Sequence, residues 1–346
     1  METLAGTRGA HRRRSAPLLV VTAGVLALAA CGSGSTSGAR TAPTALAAGS
    51  ASASGGPGGS ASALQPGTGT GAPTVAGSPT APAGPTLPDG SRQIFPQHRV
   101  VAYYGTANGS ISRDVLDRLS PTAAAKQAKA QAAKYAGGGR PVLPAFEVIA
   151  QIANASPGDD GLYASFYDDA QIAKWVDTAA KEGMLVVLDL QPGQGDFLSA
   201  AKHLQKFLEK PNVGLALDAE WHMAKGQVPG TVIGTVDAAQ VNQVSTWLAG
   251  LTRSKGLPQK LFVVHQFVSD AVTGRAQIAL PPELATVIHV DGFGGAENKK
   301  EKYAALRSTR RGEYNGFKLF FTDDVGLLSP KDVLALRPAP DLVTYQ

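Results

Sequence analysis

From residue 99 to the C-terminus, short apolar runs alternate with stretches in which apolar residues recur at helical spacing. Eight runs read as strands: RVVAYYG (99–105), VLPAFEVIAQI (142–152), MLVVLDLQPG (184–193), VGLALDAEW (213–221), KLFVVHQFV (260–268), ATVIHVDGFG (285–294), GFKLFFTDD (316–324) and DLVTYQ (341–346). Pro144 sits badly inside a sheet and predicts that the second strand starts late, near Ala145.

Helix signals fill the gaps. Ser120-Pro121 is a cap followed by a first-turn proline, opening an Ala-rich helix that the glycines at 137–139 stop. Ile172, Trp175, Val176 and Ala179 fall on one helical face, and Asp196 opens a helix running to about Lys210. Asp237 caps a helix carrying Val241, Val244, Leu248 and Leu251; further helices are expected over 299–309 and after Ser329-Pro330. The segment 269–283, with Pro281-Pro282, is short for a full helix. Eight strand–helix units in about 250 residues imply a parallel sheet closed into a single (β/α)8 TIM-type barrel over 96–346. No G-x-G-x-x-G follows the first strand and no P-loop lysine motif is present, so nothing points to a nucleotide cofactor.

The N-terminal third differs in kind. Residues 1–31 carry a basic stretch (Arg8, Arg12, Arg13, Arg14) and then an apolar segment, 17–30, that is short for a membrane span. The segment ends Leu28-Ala29-Ala30-Cys31, which resembles a bacterial lipobox, and Cys31 is the only cysteine. The expectation is a lipoprotein signal peptide, with lipidated Cys31 holding an exported protein on the outer face of the cytoplasmic membrane, in the cell-wall zone. Residues 32–95 are rich in Gly, Ser, Ala, Pro and Thr, and up to Gly90 their only charges are Arg40 and Asp89. Such a tract reads as a disordered linker, with an r.m.s. span of about 45 Å. The formal net charge is +5. Residues 1–30 hold four arginines against Glu2, a net of +3, which leaves +2 for the remainder. That is no nucleic-acid footprint. A monomer is expected, with a cell-envelope glycan or small ligand as partner.

Candidate chemistry collects at the C-terminal ends of the strands, where barrel enzymes carry their sites. In VGLALDAEW the period-2 alternation puts Asp218 and Glu220 on the face shared by Gly214 and Ala216. Glu147 and Gln151 share parity on the second strand, Asp189 and Gln191 on the third, and His289 and Asp291 on the sixth; His265 lies on the fifth and Asp323 on the seventh. These pairs predict an inward polar ring. Of Tyr103 and Tyr104, only one can face it.

Three chemistries fit such a ring. Glycoside hydrolysis needs two carboxyl groups, one of them protonated; Glu220 and Asp218 are the first candidates, with Asp189 or Asp291 as a further carboxylate. Glu147, Gln191, His265, His289, Asp291 and Asp323 would bind substrate. Metal hydrolysis through His265, His289, Asp291 and Asp218 lacks H-x-H or H-E-x-x-H spacing, so no metal is expected. The third is binding without turnover.

The ending Asp218-Ala219-Glu220 is similar to the D-x-E of the family 18 glycoside hydrolases (chitinase-type barrels) and of the family 25 muramidases, and RVVAYYG resembles the first strand of the chitinase-type barrels. The resemblance implies that Glu220 is the catalytic acid and Asp218 its supporting partner. It covers two strands; upstream acidic positions of the chitinase pattern are Val213 and Ala216 here. The whole chain resembles actinobacterial lipoproteins with a glycosidase-like barrel, which implies fold and location.

Overall fold

The computed structural model describes residues 84–346 apart from Ser110, Ser112 and Gly138. The signal peptide, Cys31 and most of the expected linker lie outside these residues.

Eight parallel strands form the barrel: β1 (Arg99–Thr106), β2 (Val142–Ala153), β3 (Leu185–Leu190), β4 (Val213–Asp218), β5 (Lys260–Gln266), β6 (Leu284–Val290), β7 (Tyr314–Leu319) and β8 (Leu342–Tyr345). Each pairs with its chain neighbours, and β1 pairs with both β2 and β8, which closes the sheet. The expected (β/α)8 barrel is what the chain forms. Helices α1 (Pro121–Ala133), α2 (Asp169–Lys181), α3 (Phe197–His203), α4 (Gln205–Leu208), α5 (Ala238–Ser254), α6 (Ala296–Leu306) and α7 (Pro330–Ala335) lie in the connections. Their N-caps are as the sequence signals them: Ser120, Asp196, Asp237 and Ser329 each accept from a first-turn backbone N–H.

Strand alternation divides the core in two. Val101, Phe146, Val186, Leu215, Phe262, Ile288 and Phe317 pack outward with Ala124 and Ala128 of α1, Ile172 and Val176 of α2, and Val241 and Leu248 of α5. Val100, Ala102, Ala145, Val187, Ala216, Val263, Ala285 and Leu342 fill the barrel itself. Near-continuous apolar strands follow from burial on both faces.

Several boundaries differ from the sequence reading. Leu87, Ile94 and Phe95 are buried in the interior cluster at the N-terminal end of the barrel, where Gln259 accepts from the backbone N–H groups of Ile94 and Phe95. The packed domain therefore begins before residue 96, and residues 84–95 are not linker; three apolar side chains in a polar tract suffice to seal the barrel floor. Strand β2 includes Pro144, but β3 joins it only from Ala145, so the proline has a strand on one side alone. Helix α3 stops at Leu204 and a separate short turn of helix follows. Between β5 and β6 the only helical element is a 3-10 turn, Arg275–Gln277, after a two-residue strand, Val272–Thr273, that pairs with Val236–Asp237, and β4 gives way to another 3-10 turn at Ala219–Trp221.

Candidate functional site at the barrel mouth

Each strand sends one polar side chain inward near its C-terminal end: Tyr104, Glu147, Asp189, Asp218, His265, His289, Lys318 and Thr344, all buried. Strand register sets them side by side, with Tyr104 opposite Glu147, Asp218 opposite His265, and His265 opposite His289. Gln191, Glu220 and Asp291 stand two residues further along their chains. Gly316 makes room for the ring: a Cβ there would lie 2.7 Å from Cδ2 of His289.

One network runs around half of the ring. His265 bridges two carboxylates, with Nε2 at 2.8 Å from Glu147 Oε1 and Nδ1 at 3.0 Å from Asp291 Oδ2. Lys318 Nζ donates to the same Asp291 oxygen at 3.0 Å and lies 3.6 Å from the centre of the Tyr104 ring. Thr344 donates to Glu147 Oε2 at 2.8 Å, so its oxygen accepts from Nε2–H of His289, also at 2.8 Å. The two imidazoles stack with centroids 4.8 Å apart. Burial alone would neutralise His265, but Asp218, Glu147 and its two carboxylate hydrogen bonds hold its pKa well above the usual value. His265 is an imidazolium. Burial and that neighbouring charge push His289 down to about 3, so it stays neutral. Burial works against ionisation of Glu147 and Asp291 too. The charge of His265 nevertheless brings Glu147 to about 2, and Lys318 with His265 holds Asp291 well below the carboxylate range.

The other half is less satisfied. Tyr104 OH donates to Asp189 Oδ2 at 2.7 Å, and Gln191 Nε2 lies 3.4 Å from Asp218 Oδ2 and 3.5 Å from Tyr104 OH. Oδ1 of Asp189 and Oδ1 of Asp218 are buried with no hydrogen-bond partner. Burial raises the pKa of both, helped by the charge of Glu147 on Asp189 and of Asp189 and Glu220 on Asp218. Glu220 follows on the 3-10 turn after β4 and is partly exposed. Its surroundings desolvate it and Asp291 repels it, which lifts it to about 7 against the opposing charges of Lys318, His265 and Lys302.

Of the residues the sequence singles out, Glu147, Asp189, Gln191, Asp218, Glu220, His265, His289 and Asp291 are brought together. Asp323 is not: it lies on the rim and pairs with the exposed guanidinium of Arg113. The following residue, Asp324, binds Lys299 at 3.0 Å and accepts from the backbone N–H groups of Gly294 and Phe320, which ties the loops after β6 and β7 together. Tyr104 rather than Tyr103 faces inward. Lys318 and Thr344 were missed. Their signal was present as strand parity, since Lys318 alternates with the outward Phe317 and Leu319, but a lysine inside an apolar run reads as a strand end. Lys302 of α6, whose charge acts on Glu220 and Asp291, left no such signal.

The rim is apolar. The large hydrophobic side chains exposed among the described residues are Leu162, Val232, Ile233, Phe293, Phe321, Val325 and Leu327, all on loops that follow β2, β4, β6 and β7. Metal ligation finds no support in the donor set: both nitrogens of His265 face carboxylates, Nε2 of His289 is committed to Thr344, and no group of three or more candidate ligands is poised for an ion among the described residues.

No family model and no curated protein matches the chain. Among solved structures, two of Xanthomonas albilineans dihydropteroate synthase are similar. The one with indole-2-carboxylic acid and 6-chloroguanine has 11% identity and a TM-score of 0.27. The one with 4-aminobenzoic acid has 12% identity and a TM-score of 0.28. Both matches cover 72% of this chain and 88% of the other. A likeness of this size says nothing about substrate.

Proposed function

We propose that the domain is a glycoside-hydrolase-like enzyme acting on cell-envelope glycan, with Glu220 as general acid/base and Asp218 as its positioning partner. The observation that carries this reading is the state of Glu220. It is partly exposed, its carboxyl group has no hydrogen bond or ion pair to any described residue, and its surroundings push its pKa up to about 7. A carboxyl group of that kind can give a proton and take one back at neutral pH. Asp291, held ionised by Lys318 and His265, supplies the contrasting carboxylate. Environments that push two carboxyls apart in this way are the usual basis of an acid–base division of labour.

In this reaction Glu220 gives its proton to the glycosidic oxygen as the carbon–oxygen bond breaks. The positive charge that grows on the sugar ring faces the mouth, where Asp291 and Glu147 are ionised. Glu220, now a carboxylate, accepts a proton from the incoming water. Phe293 and Phe321 on the rim offer ring faces to sugar. The lipobox-like Cys31 and the linker fit anchoring on the outer face of the membrane, where such a glycan is found.

A second reading is a non-catalytic glycan or small-ligand binder. It is favoured by the network of Glu147, His265, Asp291 and Lys318, which is complete within the protein. A screen of chromogenic glycosides and purified cell wall with wild type and Glu220→Gln decides between them. Turnover lost in the variant supports the hydrolase. Turnover equal in both removes Glu220 from the mechanism, and binding without turnover in either supports the binder.

A further inference from the structure

The charges and hydrogen bonds of the mouth do not balance evenly. His265 and Lys318 are matched by Glu147 and Asp291. Asp189 and Asp218 remain, each with one oxygen held by a neutral donor and the other, Oδ1, buried with no partner. Buried acceptors without donors are costly, and these two carboxylate oxygens lie on neighbouring strands at one side of the mouth, while Nδ1 of His289 is the remaining orphan of the ring. What this side lacks is donors and positive charge.

A sugar hydroxyl meets that need poorly, because it brings one donor together with two lone pairs. A primary ammonium brings three donors, no acceptor and a full charge. We propose that Asp189 and Asp218 form a subsite for a protonated primary amine, so that the preferred glycan carries an unacetylated amino sugar. The glycan half of this statement rests on the function proposed above; the amine half rests on the orphaned acceptors alone.

The subsite is linked to pH. Without ligand, burial raises the pKa of both carboxyls, helped by the charge of Glu147 at Asp189 and by those of Asp189 and Glu220 at Asp218. An ammonium group lowers both again, so binding releases protons and tightens as pH rises through the range in which the carboxyls titrate, until the amine itself loses its charge. The groups that set the balance are Tyr104 on β1, Glu147 on β2, Glu220 after β4, His265 on β5, Asp291 after β6, Lys318 on β7 and Lys302 on α6. Among these, His265, Lys318 and Lys302 oppose the cation, and the carboxylates favour it.

The test is isothermal titration at pH 6 of the full protein carrying Glu220→Gln, which blocks turnover under the proposed mechanism. The probes are tetraglucosamine, its fully N-acetylated counterpart and cellotetraose. The expected result is binding of tetraglucosamine about tenfold or more tighter than the other two, with proton release seen as a heat that depends on the buffer. Asp218→Asn or Asp189→Asn in the same background lowers that affinity by about tenfold, a larger loss than for either of the other two probes. Equal affinity for all three, preference for the acetylated chain, or no binding of any overturns the amine subsite. Should either Asn variant fail to fold, the buffer dependence measured without it still decides. Cleavage of the acetylated chain by wild type, with no amine preference, would keep the hydrolase and remove this inference. Selective binding of tetraglucosamine that wild type never cleaves would do the reverse.

Discussion

Replacing Glu220 by Gln tests the electrostatics of the mouth without any substrate. The folded protein raises this carboxyl from 4.5 to about 7. At about 1.4 kcal/mol per pH unit that gap is worth about 3 kcal/mol, and partial exposure reduces the expected effect to about 1–3 kcal/mol. The sign follows from linkage. Below about pH 4.5 the group is protonated in both folded and unfolded chains, and Gln is a fair copy of the neutral acid. As pH rises towards 7 the unfolded chain releases its proton first, so wild type loses stability over that window; above 7 the folded protein carries the full cost of the charge. The variant should therefore match wild type near pH 4 and exceed it at pH 8. Asp189 and Asp117 also titrate high in the fold, but they do so in both proteins and largely cancel; Asp218, which the charge of Glu220 helps to raise, is relieved in the variant and adds to its advantage at high pH. Urea midpoints at pH 4, 6 and 8 read the difference directly. A variant less stable than wild type at pH 8, or a difference that ignores pH, would refute the reasoning.

The remaining predictions concern what holds the ring. Glu147→Gln leaves His265 as a buried cation with one carboxylate partner fewer, and is expected to cost about 3–5 kcal/mol by denaturant titration. Gly316→Ala drives a methyl group to within 2.7 Å of the His289 ring and should cost about 1–3 kcal/mol in thermal or urea unfolding. Asp323→Ala removes only a rim ion pair with an exposed arginine, so unfolding should shift by no more than about 1 kcal/mol, with turnover unchanged.

The barrel was legible because its strands are buried on both faces and its helices carry standard caps, so two periodicities alternate along the chain with little interference. The inward ring was legible for the same reason. Parity fixes which side of a strand Asp189, Asp218, His265 and His289 occupy, and closure of the sheet then has to bring them together. What parity does not encode is pairing. Nothing in the sequence says that His265 is charged and His289 neutral; that follows from two carboxylates meeting one ring and a threonine meeting the other. Asp323 misled because it ends an apolar run just as Asp218 does, yet β7 stops at Leu319 and the chain has turned outward by then. The floor formed by Leu87, Ile94 and Phe95 was hidden in low-complexity composition, where three apolar residues carry little statistical weight although they seal one end of the barrel.

The central claim is that Glu220 acts as an acid near neutral pH, and the most direct measurement is reducing-end release from purified cell wall as a function of pH. The account predicts release by wild type that declines above about pH 7, as Glu220 loses its proton, and none by Glu220→Gln at any pH. Release at the same rate in both proteins, or no release by wild type across the range, would contradict it.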